Sequence, residues 1–502
     1  MGKEKKESSG EITSILGLLK DFTKRKDVHG GSALHAHVLR TGLIEKSPHI
    51  ASSLISFYAK CGDLAKAQQV LQDLPVRDVV SWSVLIAGYA QHGRGHDALR
   101  CFEHMQTQGI PPDEITFTCI LKACASIGAV DKGRQIHDEI ANRGLLQKNI
   151  VLGTALVDMY AKCGVLDKAQ KVLEALPARN VVSWSALISG YVQHGHCNEA
   201  LDCFRQMQKE GVSPNEFTFA CILKACGSIR AIGLGEQIHD KIASRGLLKK
   251  NIVLGTALVD MYAKCGELAK AQVVLECLPV RDTVSWNALI SGCAQQEQGA
   301  EILDFFSQMQ REGLSPDEVT FTCILKACGI VKDIDKGNQI HNEIISGCFL
   351  DKSILLASAL VDMYAKCGVL SVAQQMFEAL AVRDTICWSA LIAGYTQKGE
   401  FHEALLCFER MQSEGLTPDA ITFTCILKSC GSTRAVEKGK QIHNKIASGG
   451  FLQNNIMLGT ALVDMYAKCG LFAKAAQVLK ELPIQDTISW NALITGYSQE
   501  GE

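Results

Sequence analysis

The sequence contains no C-x-x-C pair, no glycine-rich phosphate loop and no nucleophile elbow. The first absence removes the paired thiols of most zinc sites and of the zinc deaminase signature. The other two remove the usual marks of phosphate-loop nucleotide binding and of α/β-hydrolase chemistry. No apolar run approaches the roughly 18 residues of a membrane-spanning helix, so the chain is read as soluble, without a membrane partner. Charge of one sign is lacking too. The 51 Lys and Arg against 53 Asp and Glu leave a formal net charge of -2, without the basic excess that nucleic-acid-binding domains usually carry. The N-terminal MGKEKKESSGE mixes lysines with Glu4, Glu7 and Glu11, whereas transit peptides are acid-poor and arginine-rich, so no targeting signal is visible. Hydrophobic residues are plentiful at 47%, with 21% charged, enough to bury a large core.

What fills the chain is repetition. GTALVDMYAKCG stands at 153–164, 255–266 and 459–470, with close copies at 357–368 and 51–62. Cys61, Cys163, Cys265, Cys367 and Cys469 are each 102 residues apart, as are Trp82, Trp184, Trp286, Trp388 and Trp490. A fixed internal period marks a repeat array, which overrides any count of domains from length. Of the 21 cysteines, 16 fall in four repeated places, which suggests small core residues in a reducing compartment rather than a disulfide frame.

Each 102-residue unit divides at recurring turn signals into segments of 35, 36 and 31 residues. Every segment reads as two helices. SWSVLIAGYAQHG (81–93) places Trp82, Leu85, Ile86 and Tyr89 on one helical stripe and ends at Gly93. HDALRCFEHMQTQG (96–109) puts Ala98, Phe102 and Met105 on one face and stops at Gly109, before Pro111 and Pro112. FTCILKACASIG (117–128) with DKGRQIHDEIANRG (131–144), and TALVDMYAKCG (154–164) with LDKAQKVLEALP (166–177), repeat the plan. Period-2 alternation never runs beyond a few residues, so the class is all-α. A hairpin of about 35 residues cannot bury its stripe alone, and stacked hairpins can, which predicts a right-handed superhelical solenoid with a concave face.

The spacing gives an unstructured N-terminus over 1–11, fourteen hairpins over 12–486 and a truncated repeat over 487–502. The array starts abruptly and breaks off inside a helix without polar capping elements, as expected of a piece of something longer.

Five internal copies also show which positions vary. The residue after the repeated Trp is Ser83, Ser185, Asn287, Ser389 and Asn491, and the last residues of the completed 35-residue segments are Asp113, Asn215, Asp317 and Asp419. In the 31-residue segments the matching pairs are Ser52 with Asp78, Thr154 with Asn180, Thr256 with Asp282, Ser358 with Asp384, and Thr460 with Asp486. Two readings fit. These residue types cap helix starts and make turns. They are also short side chains with paired donors and acceptors, able to meet a base edge on a concave face.

With SWSALISGYVQHG (183–195), EALDCFRQMQKEGVSPN (199–215), ILKACGSIRAIGLGEQIH (222–239) and LVDMYAKCG (258–266), residues 12–502 resemble a pentatricopeptide repeat protein of the plant PLS subclass. Its P, L and S motifs of about 35, 36 and 31 residues alternate in the same order. Tetratricopeptide repeats hold a 34-residue period and a different pattern. The resemblance implies single-stranded RNA binding, one base per repeat, with the fifth and last residues of each P and S motif choosing the base. It implies a second residue that clamps the base: Val80, Val182, Val284 and Ile386 in P motifs, and Val151, Val253, Leu355 and Met457 in S motifs. By the family's code the pairs from Ser52 to Asp486 spell GGnAAnGUnGGnG, with n at L motifs. Members of the subclass select cytidines for C-to-U editing in mitochondria or chloroplasts through C-terminal E and DYW regions. The chain stops before such regions, so the resemblance implies an editing deaminase supplied in trans, an incomplete chain or a decayed copy. The rival reading from another class is a helical scaffold for protein partners.

Two constellations invite a catalytic reading and are given a structural one. His137 and Glu139, and His341 and Glu343, have the H-x-E form of zinc deaminases. His35, His137, His239, His341 and His443 are one repeated position, however, with Lys241 and Lys445 where the Glu would be. Cys119 and Cys124 sit about 140° apart around a helix, poor geometry for one metal. The expectation is therefore no enzyme activity, no cofactor, no metal and no small-molecule substrate.

Overall fold

The computed structural model describes residues 2–249, 251–349, 353–380, 382–453, 455–482 and 487–500, with side chains for all of these but 2–10, 45, 46, 453, 499 and 500. Among the described residues every regular element is helical. Two helices, Gly2–Arg25 and Val28–Arg40, are followed by Pro48–Cys61 with Leu64–Asp73, Val79–Gln91 with Gly95–Thr107, Glu114–Ile127 with Val130–Asn142, and Ile150–Lys162 with Leu166–Ala175. The same kinds of pair recur as far as Thr487–Glu500. The first helix corrects the reading of 1–11 as unstructured, since it starts at Gly2. The lysines and glutamates of that stretch are good helix formers, and one glycine costs a helix only about 1 kcal/mol.

The chain divides within helix Ile252–Cys265 into two compact units, Met1–Ala257 and Leu258–Glu502. Each is an all-α solenoid of stacked hairpins. In the first unit, Ile150–Lys162 lies between Glu114–Ile127 and Val181–Gln193 and against its own second helix, Leu166–Ala175. The second unit repeats this, with the helix Ile354–Lys366 between Glu318–Val331 and Thr385–Lys398.

The helices start where the sequence supplies a cap. Asp78 has extended backbone, its side chain accepts from Ser81 N–H at 2.8 Å, and Ser81 Oγ in turn accepts from Asp78 N–H. Asp113 and Asn149 cap the next two first helices without the return bond, Asp113 accepting from Thr116 N–H and Asn149 from Val151 and Leu152 N–H. These helices therefore begin two to four residues before the apolar stripes that betray them in sequence. They stop where glycine can take positive φ, at Gly93 (φ 72°) and Gly109 (φ 72°).

The stripes become the core. Trp82, Leu85, Ile86 and Tyr89 are buried, as are Ala98, Phe102 and Met105 of the partner helix, and Ala169, Val172, Leu173 and Leu176 two hairpins on. Each large apolar side chain buried this way stabilises the stack by about 1.5–3 kcal/mol. Neighbouring first helices touch closely: a Cβ on Gly190 would lie 2.5 Å from Ala161 Cβ. Between second and first helices, His137 Nδ1 lies 3.0 Å from the Tyr160 hydroxyl, and His35–Tyr58, His341–Tyr364 and His443–Tyr466 repeat the contact. The repeated histidines are thus hairpin joints.

Candidate nucleic-acid interface

The last residue of each described segment is the N-cap of the following helix. Asp113 Oδ1 accepts from Thr116 N–H at 2.7 Å and from its hydroxyl at 2.6 Å. Asn215, Asp317 and Asp419 do the same for Thr218, Thr320 and Thr422. In the 31-residue segments Asn180 accepts from Val182 and Ser183, Asp282 from Ser285, and Asp384 from Cys387. Every one of these bonds falls on Oδ1. Asp and Asn are identical at that atom and differ at the other, which is an acceptor in Asp and a donor in Asn.

The residue after each tryptophan sits at the same junction. Ser83 is buried at 3% exposure, its hydroxyl 2.6 Å from that of Thr116 and 3.5 Å from Asp113 Oδ1. Ser389 meets Thr422 and Asp419 at 2.6 and 3.4 Å. Ser185 reaches Asn215 through Thr218. Asn287, 7% exposed, donates its amide to Asp317 Oδ1 at 2.8 Å and accepts from the Thr320 hydroxyl at 2.6 Å. Burial would raise the Asp317 carboxyl, but the Thr320 N–H, the Asn287 amide and the Thr320 hydroxyl outweigh it and hold that group below the usual carboxylate range. The paired positions, thirty residues apart in sequence, thus meet at one threonine. That threonine, at 116, 218, 320 and 422, is a junction position the sequence reading missed, although its recurrence with the period is visible.

The 31-residue segments leave the junction more open. Thr154 and Asn180 line a cavity of about 440 Å³ together with Val151 and Val182, and Lys122 and Asp158 stand at its edge. Thr154 Oγ1 is buried without a hydrogen-bond partner, and an unmet polar atom is an invitation to a ligand. Val151 and Val182 are 65% and 56% exposed, from first helices that lie side by side. Two valines flanking a polar pair give a slot whose walls are apolar and whose end can hydrogen-bond.

The other apolar positions, Val80, Val253, Val284, Leu355, Ile386 and Met457, are exposed as well. So are Ile115, Phe217, Val319 and Ile421 in the 36-residue segments, at the same register and not singled out from sequence. Ser358 contacts Cys387 Sγ at 2.9 Å, and Cys387 N–H is the donor that Asp384 caps. Ser52 donates instead to His49 O, while Thr460 donates to Ile456 O. Asp486 lies outside the described residues. Thr256 and Asp282 belong to different units.

Residues 77–126, 179–228, 281–329 and 383–432 match the PPR repeat family, and residues 50–79, 115–145, 154–181, 460–483 and 488–502 match the PPR repeat. A pentatricopeptide repeat-containing protein of Arabidopsis thaliana is 34% identical over 501 residues, covering 99% of this chain and 68% of its own. A chloroplastic member from the same plant is 34% identical over 90% of this chain and 73% of its own, and a mitochondrial member 33% identical over 90% and 65%. Among solved structures, the pentatricopeptide repeat protein PPR10 from maize aligns with a TM-score of 0.51 at 17% identity, covering 97% of this chain and 86% of that one. Its complex with an 18-nt psaJ RNA element aligns at 0.50, with 97% and 84% covered. The repeats, the hairpins and these relatives agree: the chain belongs to the pentatricopeptide repeat family.

Proposed function

We propose that this chain binds single-stranded RNA, one base per hairpin, along the exposed apolar ladder of its first helices. The observation that carries the reading is the slot in which Val151, Thr154, Asn180 and Val182 converge. A base wedged between the two valines presents its Watson–Crick edge to Thr154 and to the free second atom of Asn180. Since Oδ1 is committed to the cap, Asn offers a donor, suited to the ring acceptor N1 of adenine or N3 of cytosine. Asp at the equivalent position offers an acceptor, suited to N1–H of guanine or N3–H of uracil. The capping role and the reading role therefore use different atoms of one side chain. Lys122 at the rim is placed to meet a phosphate.

The maize protein's RNA complex supports the reading, and relatives named chloroplastic or mitochondrial support work on organelle transcripts. The rotation of 35-, 36- and 31-residue segments supports the PLS subclass, and with it site selection for C-to-U editing by a deaminase acting in trans. The test is binding of the purified chain to GGnAAnGUnGGnG and to the same RNA with A and G exchanged, across a salt series. The expected result is preference for the first and a steep loss of affinity with salt. Equal binding would remove the code, and no binding to either would leave a scaffold for protein partners.

A further inference from the structure

On the opposite side of helix Val181–Gln193 lies a second cavity of about 470 Å³. Val182 and Ala186 face the base slot, whereas Trp184, Leu187 and Tyr191 face this cavity, as the 100° helical step requires. Its polar lining is acidic: Glu174, Glu199, Asp202 and Glu210 stand against one guanidinium, Arg179.

Three observations say what it lacks. Arg179 is spent on Glu210, at 3.0 Å, and Asp202 is paired with Arg205 at 2.7 Å. Glu174 accepts from the Gln170 amide and Glu199 has the His196 ring at 3.6 Å, so neither faces a permanent cation. Second, Trp184 is 5% exposed and its indole N–H is buried without an acceptor. In the third and fourth copies the same N–H donates to a glutamate, Trp286 to Glu312 at 2.9 Å and Trp388 to Glu414 at 3.1 Å. Third, the fourth copy supplies a cation of its own, with Arg410 lying over the Trp388 ring at 5.7 Å. Gln206 holds that position beside Trp184.

We propose that this pocket docks an arginine of a partner protein's peptide segment, its guanidinium between Glu174 and Glu199 and a backbone carbonyl of the segment on Trp184 Nε1. The two demands select a peptide. Carboxylates call for a cation, the orphaned indole for an acceptor, and a protonated polyamine has no acceptor to offer. The Tyr191 hydroxyl is pushed up to about 12, by burial first and then by the neighbouring Cys203 and the carboxylates of Asp167, Glu199 and Glu174. The first copy provides a control. Trp82 Nε1 is also buried without a partner, but its smaller cavity of about 170 Å³ has Gln72 and Gln108 where the second copy has Glu174 and Glu210.

The experiment is NMR of the five indole N–H groups of the purified full chain, with the Trp184 signal assigned by Trp184→Phe. The probe is acetyl-Gly-Arg-Gly amide at millimolar concentration. The Trp184 signal is expected to shift saturably, and the Trp82 signal to stay still. The variant Glu174→Gln with Glu199→Gln should weaken the shift about tenfold or more, with the other indole signals and RNA affinity unchanged. No shift at Trp184 would overturn the proposal. So would an equal shift with the citrulline peptide, which keeps the carbonyl without the charge, or with spermidine, which keeps charge without the carbonyl. An equal response at Trp82 would reduce the pocket to nonspecific peptide contact and overturn it as well.

Discussion

Asn180→Asp separates capping from reading within one side chain. Asn180 holds the start of helix Val181–Gln193 through Oδ1, which accepts from Val182 and Ser183 N–H at 3.0 and 2.9 Å. Asp keeps that oxygen, and its charge is favoured at a helix N-terminus by about 0.3–1 kcal/mol. Stability should therefore stay level or rise slightly. The second atom changes from donor to acceptor. An adenine whose N1 met the Nδ2 amide now faces a carboxylate oxygen, so a hydrogen bond is replaced by two acceptors in contact, costing about 1–3 kcal/mol. Guanine gains a partner for N1–H. The preference at the fourth position of GGnAAnGUnGGnG should swing from A to G by about 5- to 150-fold, at about 1.4 kcal/mol per tenfold. The assay is equilibrium binding of both proteins to RNAs differing at that single base, at one salt concentration, with urea melts alongside. A changed melt with an unchanged A-to-G ratio would refute the reasoning, because Asn180 would then be a cap and nothing more.

Two further outcomes follow from the frame. Gly190→Ala forces a Cβ to 2.5 Å from Ala161 Cβ and 3.0 Å from its Cα. Helix backbones must separate, so the urea midpoint should fall by the equivalent of about 1–3 kcal/mol. An unchanged midpoint would show that the helices can part freely. Burial, acting first, lowers the pKa of His35, His137, His239, His341 and His443 below the ordinary 6.5. The folded chain then binds fewer protons than the unfolded one, so stability is full above 6.5 and is lost as pH falls from 6.5 through the lowered folded values. Urea melts across that range should show the loss, and His137→Gln should make it shallower. A pH-independent midpoint in both would show that these rings keep their ordinary titration.

Much of the fold is legible in the sequence because a repeat displays its own alignment. The stripes through Trp82, Phe102 and Leu173 mark the buried face by their recurrence alone, since only packing fixes them at constant spacing. Helix starts are less legible. The stripe of SWSVLIAGYAQHG begins at Ser81, but helix Val79–Gln91 begins at its cap, because Val79 is only half-buried and Val80 is exposed, so neither belongs to the buried stripe. The wider apolar ladder escapes for a related reason. Ile115, Phe217, Val319 and Ile421 look like ordinary helix-forming residues in sequence, and only their exposure in the fold sets them apart.

Capping and base reading look like rivals in the sequence because both call for the same short polar residues. Geometry makes one depend on the other. A side chain free to rotate would present either atom to a base, and an Asn could then imitate an Asp. The cap removes that freedom: backbone N–H groups hold Oδ1 of Asn180 and Asp384, and in the 35-residue segments a threonine hydroxyl joins them on Asp113 and Asp419. The other atom is left with a fixed identity and direction. Where the residue after tryptophan is Asn, as at Asn287, its amide becomes one more restraint on Asp317. On the base-reading proposed above, the small polar alphabet is narrow for two reasons at once, since a residue must cap to be held still and must be held still to discriminate.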